Sequence, residues 1–176
     1  MIMKEIKLVF TGSMGAGKTT AISALSEIPV INTDVNATDE VIARKATTTV
    51  ALDYGEMTLP DGQKLRLYGT PGQERFAYMW KILMQGALGL IILVDNAGEN
   101  PLGDLEIYLN HFREDIEKTT AVIGVTRMDL SKKPNLAAYN DFLRKKNLQL
   151  PVFSVDVRRK QNVVLMVQTL VAMLEY

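Results

Sequence analysis

Three features of the 176-residue sequence predict an α/β domain with a mostly parallel sheet. Segments patterned as strands alternate with segments patterned as helices. One unbroken apolar run, residues 88–95 (LGLIILVD), has the composition of a central strand covered on both faces. A glycine-rich segment at 12–19 follows a strand-like stretch and opens a helix-like one, where loops at the carboxyl ends of parallel strands bind ligands.

Taken in order, residues 6–11 (IKLVFT) form the first predicted strand, and 18–27 a helix stopped by Pro29. Residues 30–49 are rich in Thr, Asn and Asp without clear periodicity, and read as a long loop. Strands are expected over 50–59 and 64–68, joined by the turn Pro60-Asp61-Gly62 as an antiparallel hairpin. A helix over 76–85 precedes the apolar strand. Then come a helix over 102–118, a strand over 121–126, a helix over 135–146 and a short strand over 152–155. The last helix is set by Val163, Met166, Val167, Leu170, Val171 and Leu174, which repeat on one face and read as core. The sum is six strands and five helices in a single domain, 1–176.

The glycine segment reads Gly12-Ser13-Met14-Gly15-Ala16-Gly17-Lys18-Thr19, a full match to G-x-x-x-x-G-K-[ST] in its required strand–loop–helix context. Glycines let the backbone wrap so that successive N–H groups face phosphate oxygens, and the helix N-terminus adds partial positive charge. Lys18 would bring a full charge to the β- and γ-phosphates, and the Thr19 hydroxyl would ligate Mg²⁺. Gly12, Gly15, Ala16, Gly17, Lys18, Thr19 and the following Thr20 are therefore the expected phosphate-side contacts. The loop alone selects neither adenine nor guanine.

Composition narrows the function further. Lys+Arg and Asp+Glu are equal at 20 each, so no excess positive charge points to nucleic acid or an anionic membrane. The absence of cysteine excludes disulfides, thiolate metal sites, cysteine nucleophiles, prenylation and palmitoylation of this chain. Ile2 in place of Gly removes the myristoylation pattern. The first ten residues are too short and too charged for a signal peptide. A cytoplasmic protein without a direct membrane anchor is expected, with any membrane association supplied by partners.

The middle of the chain carries a specific resemblance. Gly69-Thr70-Pro71-Gly72-Gln73-Glu74-Arg75-Phe76 resembles the D-T-A-G-Q-E segment of Ras-like GTPases, with the R-F continuation of Rab-type members. Together with 47–55 (TTTVALDYG) and Met79-Trp80…Gly86-Ala87-Leu88-Gly89, it looks most like a bacterial Rab-like branch partnered by roadblock-type proteins, the gliding-polarity and conservon GTPases. The resemblance runs from Lys7 to Leu174. It implies a P-loop NTPase fold, a Ras-like three-layer sandwich, and a small GTP-binding switch that hydrolyses GTP slowly with Mg²⁺.

Position by position, the resemblance implies that the Gly72 N–H meets the γ-phosphate and Gln73 orients the attacking water, with Lys18 the second catalytic group. Thr49, in Thr49…Asp53-Tyr54, would join Thr19 on Mg²⁺, with Thr47 and Thr48 as alternatives of register. Thr126-Arg127-Met128-Asp129 stands where the family has N-K-x-D. Asp129 would accept from guanine N1–H and N2–H₂, a donor pair that adenine lacks. Arg127 would cover the base. Asp156-Val157-Arg158 stands at the family's S-A-K position, with the Val157 N–H toward the guanine O6. Roadblock-type regulators and effector proteins are the implied partners.

Two departures bear on this. Gly69 stands where the family has the carboxylate that holds Mg²⁺ through water, and Thr126 replaces the asparagine that ties the base loop to the P-loop. Asp95 reads as a strand-end residue. Arg44 and Arg75 read as solvated. A nucleotide-binding module with little hydrolysis, an ATP-binding P-loop protein and a metabolic kinase remain as alternatives; the last lacks an Arg-rich lid.

Overall fold

A computed structural model describes the backbone of residues 5–37 and 48–174, and the side chains of 5–32 and 52–174. The chain runs β1 (Ile6–Gly12), α1 (Lys18–Leu25), β2 (Ile31–Ala37), β3 (Thr48–Thr58), β4 (Lys64–Gly69), a 3₁₀ turn (Glu74–Phe76), α2 (Ala77–Met84) and β5 (Gly89–Asp95). It continues through α3 (Pro101–His111), α4 (Arg113–Lys118), β6 (Ala121–Thr126), α5 (Leu136–Lys145), β7 (Val152–Ser154) and α6 (Lys160–Leu174). The strands form one sheet in the order β2-β3-β4-β1-β5-β6-β7. Pairing is parallel from β4 through β7 and antiparallel at β2–β3 and β3–β4.

The α/β class and the mostly parallel sheet are as the sequence predicts. The counts are not: among the described residues there are seven strands and six α-helices, against six and five expected. The added strand is β2, inside the stretch read as a loop. Its pairing with β3 is continuous, from Ile31 opposite Tyr54 to Ala37 opposite Thr48. Ladder bonds come from the backbone, so a polar sequence such as INTDVNA can serve at a sheet edge, where a hydrophobic alternation would invite aggregation. The added helix arises because the predicted helix over 102–118 breaks at Phe112 (φ −100°, ψ 10°) into α3 and α4. Phe112 is fully buried and stacks on Trp80 at 5.6 Å between ring centres. The apolar periodicity survives the break, which hides it from pattern reading.

Two cores flank the sheet. On one face Leu8, Phe10, Leu65, Leu67, Ile91 and Leu93 pack against α1 and α6. On the other, Val9, Leu90, Ile92, Val94, Ile123 and Val125 pack against α2, α3, α4 and α5. Alternate residues of β5 serve opposite cores, which is why its apolar run is unbroken. Each fully buried Leu or Ile contributes about 1.5–3 kcal/mol relative to exposure, so loss of either layer would unfold the sheet. The four buried face residues of α6, Val163, Met166, Val167 and Leu170, close the first core.

This wiring positions the site. β1 lies between β4 and β5, and the helices that follow β1 and β5 fall on opposite faces. A crevice therefore opens beyond the carboxyl end of β1, the ligand-binding position of open α/β sheets.

Candidate functional site

A cavity of about 760 Å³ occupies this crevice. Its walls bring together Gly15, Ala16, Gly17 and Thr20 from the glycine loop, Thr126, Arg127 and Asp129 after β6, and Asp156 and Val157 after β7. These three segments are distant in sequence, and the parallel sheet joins them at one rim. Val157 packs so closely over Gly17 that a Cβ there would lie 2.8 Å from the Val157 Cγ2, and Gly17 itself has φ +104°. Only glycine fits that position without strain.

Thr126 is buried, and its hydroxyl donates within reach of the Ala16 carbonyl at 3.1 Å and the Val94 carbonyl at 3.2 Å. The loop after β6 is thus tied to the glycine loop through a threonine. Arg127 takes φ +58° and sends its guanidinium to the Asp95 carboxylate at 3.2 Å. The other Asp95 oxygen accepts from the Ala97 N–H at 2.9 Å, so Asp95 anchors the strand end. Asp129 is exposed in the cavity wall. Its carboxylate makes no hydrogen bond or ion pair among the described residues, although Arg158 lies close enough to feel its charge. It caps no helix: the N-cap of α5 is Asn135.

Asp156 is bound by Arg158, whose Nε and Nη2 donate at 2.9 and 2.8 Å and whose backbone N–H donates at 3.1 Å. These hydrogen bonds hold its carboxyl at about 2. Met128, Leu130, Ser154, Val155, Arg158, Arg159 and Asn162 also line the cavity; the motifs contain Met128 and Arg158 without giving either a role, and Arg159 and Asn162 lie outside them. The signal available was the pair Arg158-Arg159 directly after Asp156-Val157.

At the phosphate end, Lys18 is folded into its own loop. Its ammonium donates to the carbonyls of Gly12 at 2.5 Å and Ser13 at 2.8 Å. Burial pushes its pKa down to about 8, against the pull of the Asp53 charge. The Thr19 hydroxyl, exposed at the head of α1, donates to Oδ2 of Asp53, a buried residue of β3. Sequence reasoning did not assign Asp53 to the site. Among the described residues no group of three or more His, Asp or Glu side chains is placed to hold a metal ion.

The segment after β4 is pressed onto the glycine loop. A Cβ at Gly72 would stand 2.6 Å from the Met14 backbone nitrogen, so only glycine permits this approach. Gln73 donates to the Met14 sulfur at 3.3 Å. Two buried aromatics hold the segment from behind: the Trp80 indole donates to the Pro71 carbonyl at 2.7 Å, and the Tyr108 hydroxyl to the Gly72 carbonyl at 3.2 Å. Of the aromatic and Met residues after Gly72, Phe76 and Trp80 are buried, Met79 is partly buried and Tyr78 is exposed. His111 contacts Glu74 at 3.1 Å. Thr49 lies in β3 opposite Asn36, but its side chain, with Thr47 and Arg44, lies outside the described residues.

A family model described as a conserved hypothetical ATP binding protein matches residues 29–175. The glycine loop precedes that stretch. Ras-related protein Rab-13 of Canis lupus familiaris is 26% identical over 147 residues, covering 82% of this chain and 64% of that protein. Rab-8A of Gallus gallus is 26% identical over 165 residues, covering 77% and 74%. An uncharacterized protein of Methanocaldococcus jannaschii is 33% identical over 93 residues, covering 52% and 51%. The chain thus spans about half of the archaeal protein and under two thirds of that Rab-13. With a P-loop set at the carboxyl edge of a Ras-like sheet, the chain is distantly homologous to the Ras-related Rab proteins and belongs to the family described as conserved hypothetical ATP binding proteins.

Proposed function

We propose that this protein is a small guanine-nucleotide switch, which binds GDP and GTP with magnesium and hydrolyses GTP slowly. The observation that carries the reading is the Asp129 carboxylate, exposed in a cavity continuous with the P-loop and without a hydrogen bond or ion pair among the described residues. A carboxylate without an internal partner can accept from two adjacent donors, and guanine presents such a pair at N1 and N2. Thr126, through its bond to Ala16, holds this acceptor in fixed relation to the phosphate end.

In the proposed roles, Lys18 contacts the β- and γ-phosphates and Gln73 orients water. Magnesium suits the oxygen-donor chemistry of the Thr19 hydroxyl, with Thr49 its second hydroxyl donor. When bound, the ion would neutralise charge shared by the two phosphates. Gly72 senses the γ-phosphate, because its close approach to Met14 leaves its backbone beside the loop. Roadblock-type regulators are the partners we favour, on the sequence resemblance. Tyr78 and Ile82, exposed on α2 next to this segment, offer them apolar contact area. A cytoplasmic location accompanies this reading.

An adenine-nucleotide protein is the second reading. The description of the family favours it.

The switch itself is testable through the single tryptophan. Trp80 donates to the carbonyl next to Gly72, so movement of that segment alters the indole environment. Exchange of GDP for a non-hydrolysable GTP analogue is expected to shift Trp80 fluorescence and to slow amide exchange across 69–75. Identical fluorescence and identical exchange in the two states would count against a switch there.

A further inference from the structure

We propose that Asp53, on β3, is the metal-side carboxylate of this site, supplied from the neighbouring strand because position 69 on β4 carries no side chain. The proposal rests on the reading of the cavity as a P-loop nucleotide site, and it answers what replaces the carboxylate missing at Gly69.

The register places the two residues directly opposite each other on antiparallel strands. A Cβ built at Gly69 would lie 3.1 Å from the Asp53 Cβ and 3.3 Å from its Oδ2. The Asp53 side chain thus lies across the space that a side chain at 69 would enter, and the two positions cannot both carry a carboxylate without displacement. Glycine at 69 leaves this space to Asp53 and to the Ile22 Cδ1, which would stand 3.0 Å from the same Cβ.

The destination of the carboxylate supports the same assignment. Asp53 is 8% exposed. A carboxylate this buried is stabilised only by donors and positive charge. Its Oδ2 accepts from the Thr19 hydroxyl, and its charge acts on the Lys18 ammonium. Both partners belong to the phosphate end of the glycine loop. A hydroxyl that gives its proton to a carboxylate keeps its lone pairs for a cation, and the carboxylate raises the electron density it offers. Asp53 would act on the ion through Thr19 and through metal-bound water. Asp95 cannot take this part, since both its oxygens are engaged at the base-side rim by Ala97 and Arg127.

The test separates charge from structure. Asp53→Asn keeps the shape and an oxygen to accept the Thr19 proton, but removes the charge. Nucleotide-stripped wild type and variant are loaded with fluorescent GDP and, in parallel, fluorescent ADP, and dissociation is followed from excess chelator to millimolar Mg²⁺. Wild-type dissociation is expected to slow with Mg²⁺. For Asp53→Asn the rate in chelator should stay within about twofold of wild type, while the Mg²⁺ needed for half the slowing rises about 10- to 100-fold. The double variant Asp53→Gly/Gly69→Asp, which returns the carboxylate to β4 and takes the Asp53 side chain out of its way, should recover much of the Mg²⁺ response. An Asp53→Asn profile matching wild type overturns the proposal, as does a wild type indifferent to Mg²⁺. A wild type that binds neither fluorescent nucleotide overturns the nucleotide reading beneath it, and this proposal with it.

Discussion

Replacing Asp129 with Asn is expected to weaken GDP binding about 100-fold, close to 3 kcal/mol. The carboxylate is exposed in the cavity wall and would meet two donors of the guanine edge, so its loss removes a charge-assisted, two-point contact. Asparagine adds a further consequence. Its amide brings an N–H₂ group to a place that held only acceptors. Xanthine carries a carbonyl where guanine has its amino group, so the variant should gain affinity for xanthosine diphosphate as it loses GDP. This gain separates altered recognition from misfolding. Competition of GDP and xanthosine diphosphate against a fluorescent nucleotide reads both. Unchanged GDP binding in Asp129→Asn would remove Asp129 from the site.

The second large effect concerns Lys18. Lys18→Met should lower triphosphate affinity about 100-fold, since truncating one side of a desolvated charge contact costs about 2–5 kcal/mol. In the structure the ammonium is held by the Gly12 and Ser13 carbonyls, and burial brings its pKa down to about 8. Phosphate binding needs it charged, so affinity should fall about tenfold between pH 7 and 9 as the empty site loses its proton. Lys18→Met should lose that pH dependence. The effect on stability has the opposite sign. The folded pKa lies below the unfolded value of 10.5, so between about 8 and 10.5 the unfolded chain holds a proton that the empty folded chain has released. Across that window this group raises stability with pH. Calorimetric titration at stepped pH checks the binding; a flat profile for wild type would mean that the Lys18 proton is not coupled to phosphate.

How much of this could be read in the sequence depended on whether the deciding residues are contiguous. The glycine loop is legible because eight neighbours carry it. β5 is legible because both its faces are buried. β2 is not, because Asn32, Thr33, Asp34 and Asn36 carry no pattern and the strand is made by backbone pairing with β3. The break at Phe112 is silent for a related reason: a buried aromatic satisfies the helical period on either side of it.

The site divides in the same way. Asp129, Asp156 and Val157 can be placed from local motifs, and the fold gathers them around one cavity. Asp53 could not be found so, since its place follows from a cross-strand register. Gly69 reads in isolation as a missing carboxylate, and only beside Asp53 as space left to that residue's side chain. The anchoring of Pro71 and Gly72 by Trp80 and Tyr108 is equally nonlocal. It leaves the carbonyls of this segment bound to the helices while the Gly72 backbone faces the loop.

The most direct test of the central claim is the affinity of nucleotide-stripped wild-type protein for GDP and ADP, measured side by side with Mg²⁺ present. A guanine site built on Asp129 predicts tight GDP binding, with ADP weaker by about 100-fold or more, close to 3 kcal/mol. Equal affinities, or a preference for ADP, would contradict it and leave an adenine-nucleotide P-loop protein in which Thr126-Arg127-Met128-Asp129 does not select the base.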